Sequence, residues 1–86
     1  MEKEIHRIEE VKLQDDLLLW VRFASGEIKL YDVKPLLTEI EAFSVLQSNS
    51  QLLYNVHVAL GGYGVLWNED IDLSSDELWR NGNLVA

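Results

Sequence analysis

The sequence predicts a small α+β domain: a largely antiparallel sheet of about five strands with two or three short helices on one side. Three observations carry that expectation. Polar and apolar residues alternate through Glu10–Leu13 and again through Asn55–Leu60, the period of strands. The connections between the first three extended segments are too short for a parallel crossover. Helix-start signals stand at Asp32 with Pro35 and at Ser74 with Glu77. With 86 residues there is room for one core, so residues 1–86 are read as a single domain, with 83–86 as a loose tail.

In chain order, a first strand runs from Ile5 or Ile8 to Leu13, with one face in water. Gln14-Asp15-Asp16 is a polar turn. Leu17, Leu19, Val21 and Phe23 then share one face of a second strand, while Leu18 and Trp20 occupy the other. Two apolar faces imply a central strand, or a second face covered by a helix or another subunit. Ala24-Ser25-Gly26-Glu27 is a hairpin connection in which Gly26 supplies positive φ, and Ile28–Tyr31 is its partner strand. Asp32 caps a helix with Pro35 in its first turn, where the missing N–H is no loss. Leu36, Ile40 and Phe43 recur on its inner face. Ser48 or Ser50 caps a further turn through Leu52, Leu53 and Tyr54. Val56, Val58 and Leu60 face one way, and Gly61-Gly62-Tyr63-Gly64 returns the chain into a strand through Trp67, closing the sheet. Ile71 and Leu73 point the same way across Asp72. Ser74 and Glu77 have the capping-box spacing for a helix starting near Ser75, which Gly82 ends.

Several of these residues carry a resemblance. The order of strand, Trp67, polar turn, Asp72-Leu73, Ser-Ser-Asp-Glu-Leu and aromatic resembles the C-terminal signature of the uncharacterised bacterial family known as domain of unknown function 2442. Val21-Arg22-Phe23-Ala24-Ser25-Gly26-Glu27 resembles that family's hairpin, and Asp32 stands where the family has an aspartate before its first helical turn. The likeness spans about Ile8 to Trp79. Asn68, and Asp70 or its neighbours, replace the family's usual proline and glycine. The resemblance implies a small α+β domain, sometimes fused to a helix-turn-helix module and frequently paired with other small proteins. It brings no established activity.

Composition removes several function classes. The chain has no cysteine, so disulfides, thiolate zinc sites and a thiol nucleophile are excluded. The start, Met1-Glu2-Lys3-Glu4, has no basic segment followed by an apolar one, and the longest strictly apolar run is Leu17–Val21, far short of a membrane span. A cytoplasmic location is expected, with no membrane partner. The net charge is −8, and Arg80 is the only Lys or Arg beyond residue 34. That surface repels phosphate backbones, so direct nucleic-acid binding is disfavoured. A basic protein partner suits it.

No constellation for catalysis stands out. Gly61, Gly62 and Gly64 lack the Lys-Ser/Thr of a phosphate loop, and Trp67 stands where a dinucleotide fingerprint needs its third glycine. Asp70, Asp72, Ser74 and Asp76 alternate as in a calcium loop, but Ser75 replaces its glycine and Asn81 its closing glutamate. His6 and His57 fall on different strands without a ligand set. No catalytic residue, metal or cofactor is therefore assigned. Glu69, Asp70, Asp72 and Asp76 are the candidate partner-binding residues, and Leu18, Trp20, Trp67 and Trp79 the candidates for a groove or homodimer face. The expected function is a non-enzymatic protein-interaction module, antitoxin-like or a regulatory accessory domain. The alternatives are a small-molecule sensor related to the N-terminal domains of helix-turn-helix regulators, and an enzyme of unrecognised type.

Overall fold

The computed structural model describes residues 5–85, and its architecture is α+β. The meander forms as expected from β1 (Ile8–Gln14), β2 (Leu18–Phe23) and β3 (Ile28–Asp32), all antiparallel. Lys12 faces Trp20 and Trp20 faces Leu30, while Leu13 faces Leu19 and Leu19 faces Tyr31. This register sends Leu19, Val21, Phe23 and Tyr31 into the core and leaves Leu18, Trp20 and Leu30 half-buried on the far face. The β2–β3 turn places Gly26 at φ 97°, a conformation that costs any other residue about 1–2 kcal/mol. The polar turn before β2 holds Asp16 (φ 64°) and Leu17 (φ 57°) in the same region. It is tied down by Lys34, whose ammonium donates to the Asp16 carbonyl at 2.6 Å, and by the Val33 N–H, which donates to the Leu17 carbonyl at 3.0 Å.

Helix α1 (Lys34–Glu39) has Pro35 in its first turn, and the Asp32 carboxylate accepts the Lys34 N–H at 2.9 Å. That backbone bond, with the Lys34 ammonium 3.0 Å away, holds the Asp32 carboxyl below its ordinary range. The helix does not continue through Phe43. At Ile40 the backbone is extended (φ −119°, ψ 116°), and Phe43 and Leu46 reach the core from a separate 3-10 turn, Glu41–Gln47. Gln47 donates to the Leu37 carbonyl at 2.6 Å, which satisfies a helix-end acceptor and fixes the break. Helix α2 (Ser50–Leu53) is capped by Asn49, not by Ser48 or Ser50: the Asn49 side-chain oxygen accepts the Leu52 N–H at 3.0 Å.

The strands that follow do not extend the meander. β4 (His57–Val58), β5 (Gly64–Asn68) and β6 (Ile71–Ser74) form a second, three-stranded antiparallel sheet, so the single sheet of about five strands is corrected to two. The seam between them lies at Gly62, where a side chain would come within 2.8 Å of the Ile8 carbonyl oxygen. The chain turns there, and β4 keeps only two residues, which pair with β5.

Helix α3 (Ser75–Asn81) starts where its cap requires, with Ser74 Oγ accepting the Glu77 N–H at 3.1 Å. The Glu77 carboxylate does not complete the reciprocal box. It accepts instead from the Tyr31 hydroxyl at 2.8 Å and from Asn81 at 3.0 Å, joining α3 to β3. Burial, then the Glu77 carboxylate, pushes the Tyr31 hydroxyl well above its ordinary value. Past Gly82 the chain is not loose: β7 (Asn83–Leu84) pairs with Lys29 and Leu30, giving the first sheet the order β1-β2-β3-β7. Ala86 lies outside the described residues. The inner faces of both sheets and the apolar residues of the helices share one core, in which Phe23, Leu19, Val65, Trp67 and Leu78 are fully buried. Among the described residues no helix is long and apolar enough to cross a membrane.

Candidate functional site

The β5–β6 turn is built by Asn68, whose side-chain oxygen accepts the N–H groups of Asp70 (2.8 Å) and Ile71 (2.9 Å). A side-chain-closed turn of this kind replaces the work of a proline and a glycine. It leaves Glu69 and Asp70 exposed at its tip. Asp72 lies on β6 directly across from Leu66, on the outer face of the second sheet. Among the described residues Glu69, Asp70 and Asp72 form no salt bridge, whereas Asp76 meets Arg80 one helical turn on, at 3.3 Å. The four candidate acids thus divide into three uncompensated charges at one end of the second sheet and one paired charge on α3.

Beside the three acids runs a groove of about 480 Å³, lined by Leu60, Tyr63 and Leu66 with Asn68, Glu69 and Asp72 among its polar residues. Leu60 is 100% exposed and Tyr63 54% exposed. Sequence alternation placed Leu60 with Val56 and Val58, but the chain turns immediately after it. Gly61 (φ 84°) and Gly62 (φ 82°) take left-handed backbone, and the Gly62 N–H closes onto the Ala59 carbonyl at 2.9 Å. Arg7, the residue just before β1, braces this turn, donating from Nε to the Gly61 carbonyl at 3.1 Å, with its guanidinium 6.0 Å from the centre of the Tyr63 ring. The loop therefore displays Leu60 and Tyr63 to solvent. The signal for this lies in the paired glycines immediately after Leu60, which end the alternating pattern one residue early.

The four residues expected at a groove or dimer face are not brought together. Leu18 and Trp20 lie half-buried on the outer face of the first sheet, where the Lys12 ammonium sits 5.0 Å from the Trp20 ring centre and Arg22 bridges Glu9 and Glu10 at 2.9 and 3.0 Å. That side-chain cover, together with the central position of β2, accounts for the second apolar face. Trp67 lies in the core and not at a groove or dimer face. Its indole N–H donates to the Leu53 carbonyl at 3.0 Å, and its ring meets Phe43 edge-on at 5.5 Å. Trp79 is held between the His6 ring, stacked at 3.6 Å, and the Lys29 ammonium at 4.0 Å, with Phe23 edge-on at 5.0 Å. Lys29 also donates to the Trp79 carbonyl, near the C-terminal end of α3. His57 is exposed, and its Nδ1–H donates to the Asn55 carbonyl at 2.8 Å. Among the described residues no three His, Asp or Glu side chains converge as a metal-binding group.

Fold and site together define a small α+β domain that carries an acid-rimmed apolar groove on one sheet. The family model for a protein of unknown function (DUF2442) matches residues 8–83, and the chain belongs to that family. No curated protein and no solved structure matches it.

Proposed function

We propose that this chain is a cytoplasmic, non-enzymatic protein-interaction module, antitoxin-like or a regulatory accessory domain, that binds a basic protein partner. The observation that carries the reading is the cluster of three exposed carboxylates, Glu69, Asp70 and Asp72, which form no salt bridge among the described residues, in a half of the chain where Arg80 is the only Lys or Arg. Charges left uncompensated on one face raise the encounter rate with an oppositely charged partner and repel like-charged ones. The adjoining groove is open to solvent at Leu60, whereas a small-molecule site typically encloses about 70–90% of its ligand. An open groove suits a polypeptide segment better than a metabolite.

The test is affinity purification of the tagged protein from its native cell at low and high salt, alongside a Glu69→Gln, Asp70→Asn, Asp72→Asn triple variant. A stoichiometric basic protein is expected with the wild type at low salt. It is lost at high salt, where charges more than a few ångströms apart are screened, and it is not retained by the variant. Recovery of no stoichiometric protein, or of one that the variant retains equally, contradicts the proposal.

A further inference from the structure

Resting on the reading of an acidic interaction module, we infer that the groove formed by Leu60, Tyr63 and Leu66 is the recognition site. Its occupant is an extended basic segment that places one apolar side chain between positively charged neighbours. The structure supports the apolar half of this pairing independently of charge. A leucine exposed over its whole surface loses apolar hydration cost on being covered, and here it is held in place. Two left-handed glycines, the Gly62-to-Ala59 bond and the Arg7 brace from the segment just before β1 hold the loop that carries it. A braced loop has little ordering entropy left to lose on binding, so an anchor on it is preorganised. Leu66 forms the groove floor on β5, and Asp72 stands across from it on β6 with Glu69 at the turn. An apolar side chain seated on Leu60 and Leu66 therefore has carboxylates beside it and, among the described residues, no cationic side chain in the groove lining. Lysine or arginine flanking that side chain is the complementary chemistry.

Fluorescein-labelled peptides of about nine residues, lysine-rich and differing only in a central Leu, Phe or Ser, are titrated with the full chain by fluorescence anisotropy at low and high salt. An acidic peptide with central Leu serves as the charge control. The Leu and Phe peptides are expected to bind at least about tenfold more tightly than the Ser peptide, the contrast expected of a hot-spot anchor. Leu60→Ser and Tyr63→Ser erase that preference. Leu60 buries nothing in the free protein, so its variant folds as the parent does, which far-UV circular dichroism verifies. Glu69→Gln with Asp72→Asn weakens all the basic peptides together, whatever their central residue. Equal binding of the Leu and Ser peptides overturns the groove assignment while leaving the acidic-module reading in place. Binding of the acidic peptide as tightly as the basic ones, or of no peptide at all, overturns both.

Discussion

Single residues show where local chemistry settles the backbone and where neighbours do. At Gly26 a Cβ would meet nothing within 4 Å, but φ is 97°. Gly26→Ala is therefore expected to cost about 1–2 kcal/mol through backbone strain alone. At Gly64 the obstacle is space: a Cβ would lie 2.5 Å from the Leu73 carbonyl oxygen inside the β5–β6 ladder. Gly64→Ala is expected to cost about 3 kcal/mol, the upper end of the overpacking range. Urea unfolding midpoints for the two variants check the order; equal midpoints would show that the β5–β6 ladder yields more easily than this packing implies. Asn68 is the residue on which the candidate site most depends, since its carboxamide forms the turn that exposes Glu69 and Asp70. Asn68→Ala is expected to lower stability by about 1–2 kcal/mol and to weaken partner binding as well.

At the scale of elements, what the sequence made legible was local. The β1–β2–β3 meander follows from alternation and from short turns, and the start of α3 follows from Ser74, whose hydroxyl accepts the expected N–H. The remainder was decided by distant partners. β7 exists because the edge of β3 offers Lys29 and Leu30 as backbone partners. The helix through Phe43 breaks because Gln47 satisfies Leu37 from ten residues away. β6 has only four residues, and its Ile71-Asp72-Leu73 alternation reads equally as the approach to a helix. The acids of the candidate site were legible because exposed charges need no partner to be placed. The groove was not, since Leu60 continues the apolar alternation and only the turn after it turns the side chain outward.

The Tyr31–Glu77 bond between β3 and α3 gives a pH prediction. Because the folded-state pKa of Tyr31 is raised, its contribution to stability is complete below the unfolded value near 10 and is lost as pH rises beyond it. Stability should therefore fall on the alkaline side of about pH 10, and Tyr31→Phe should flatten that part of the profile while costing about 1–2 kcal/mol at neutral pH. An unchanged alkaline slope in the variant would remove Tyr31 as its source. Asp32 gives the opposite sign. Its folded-state pKa is lowered, so its contribution is present above the ordinary carboxylate range and lost as pH falls through that range and below. Asp32→Asn should reduce the acid sensitivity seen in thermal melts between about pH 5 and pH 2. Because the pair with Lys34 is largely exposed, the effect is small and shrinks with added salt.

For the whole molecule, the two sheets divide the surface by charge. On the outer face of the first, Lys12 and Arg22 lie against Glu9 and Glu10. On the outer face of the second, Asp72 stands beside apolar Leu66, and Glu69 and Asp70 project from the adjoining turn with no salt bridge among the described residues. The proposed basic partner is accordingly expected at this end of the domain, where the carboxylates adjoin exposed apolar side chains. The most direct measurement of this is ¹⁵N–¹H amide mapping of the protein titrated with a lysine-rich peptide bearing a central leucine. The expected result is a set of saturable shifts confined to residues 60–74, with those of Leu18, Trp20 and Leu30 unmoved. Shifts centred on the first sheet, or spread evenly over the surface, would contradict the assignment of the groove as the partner site.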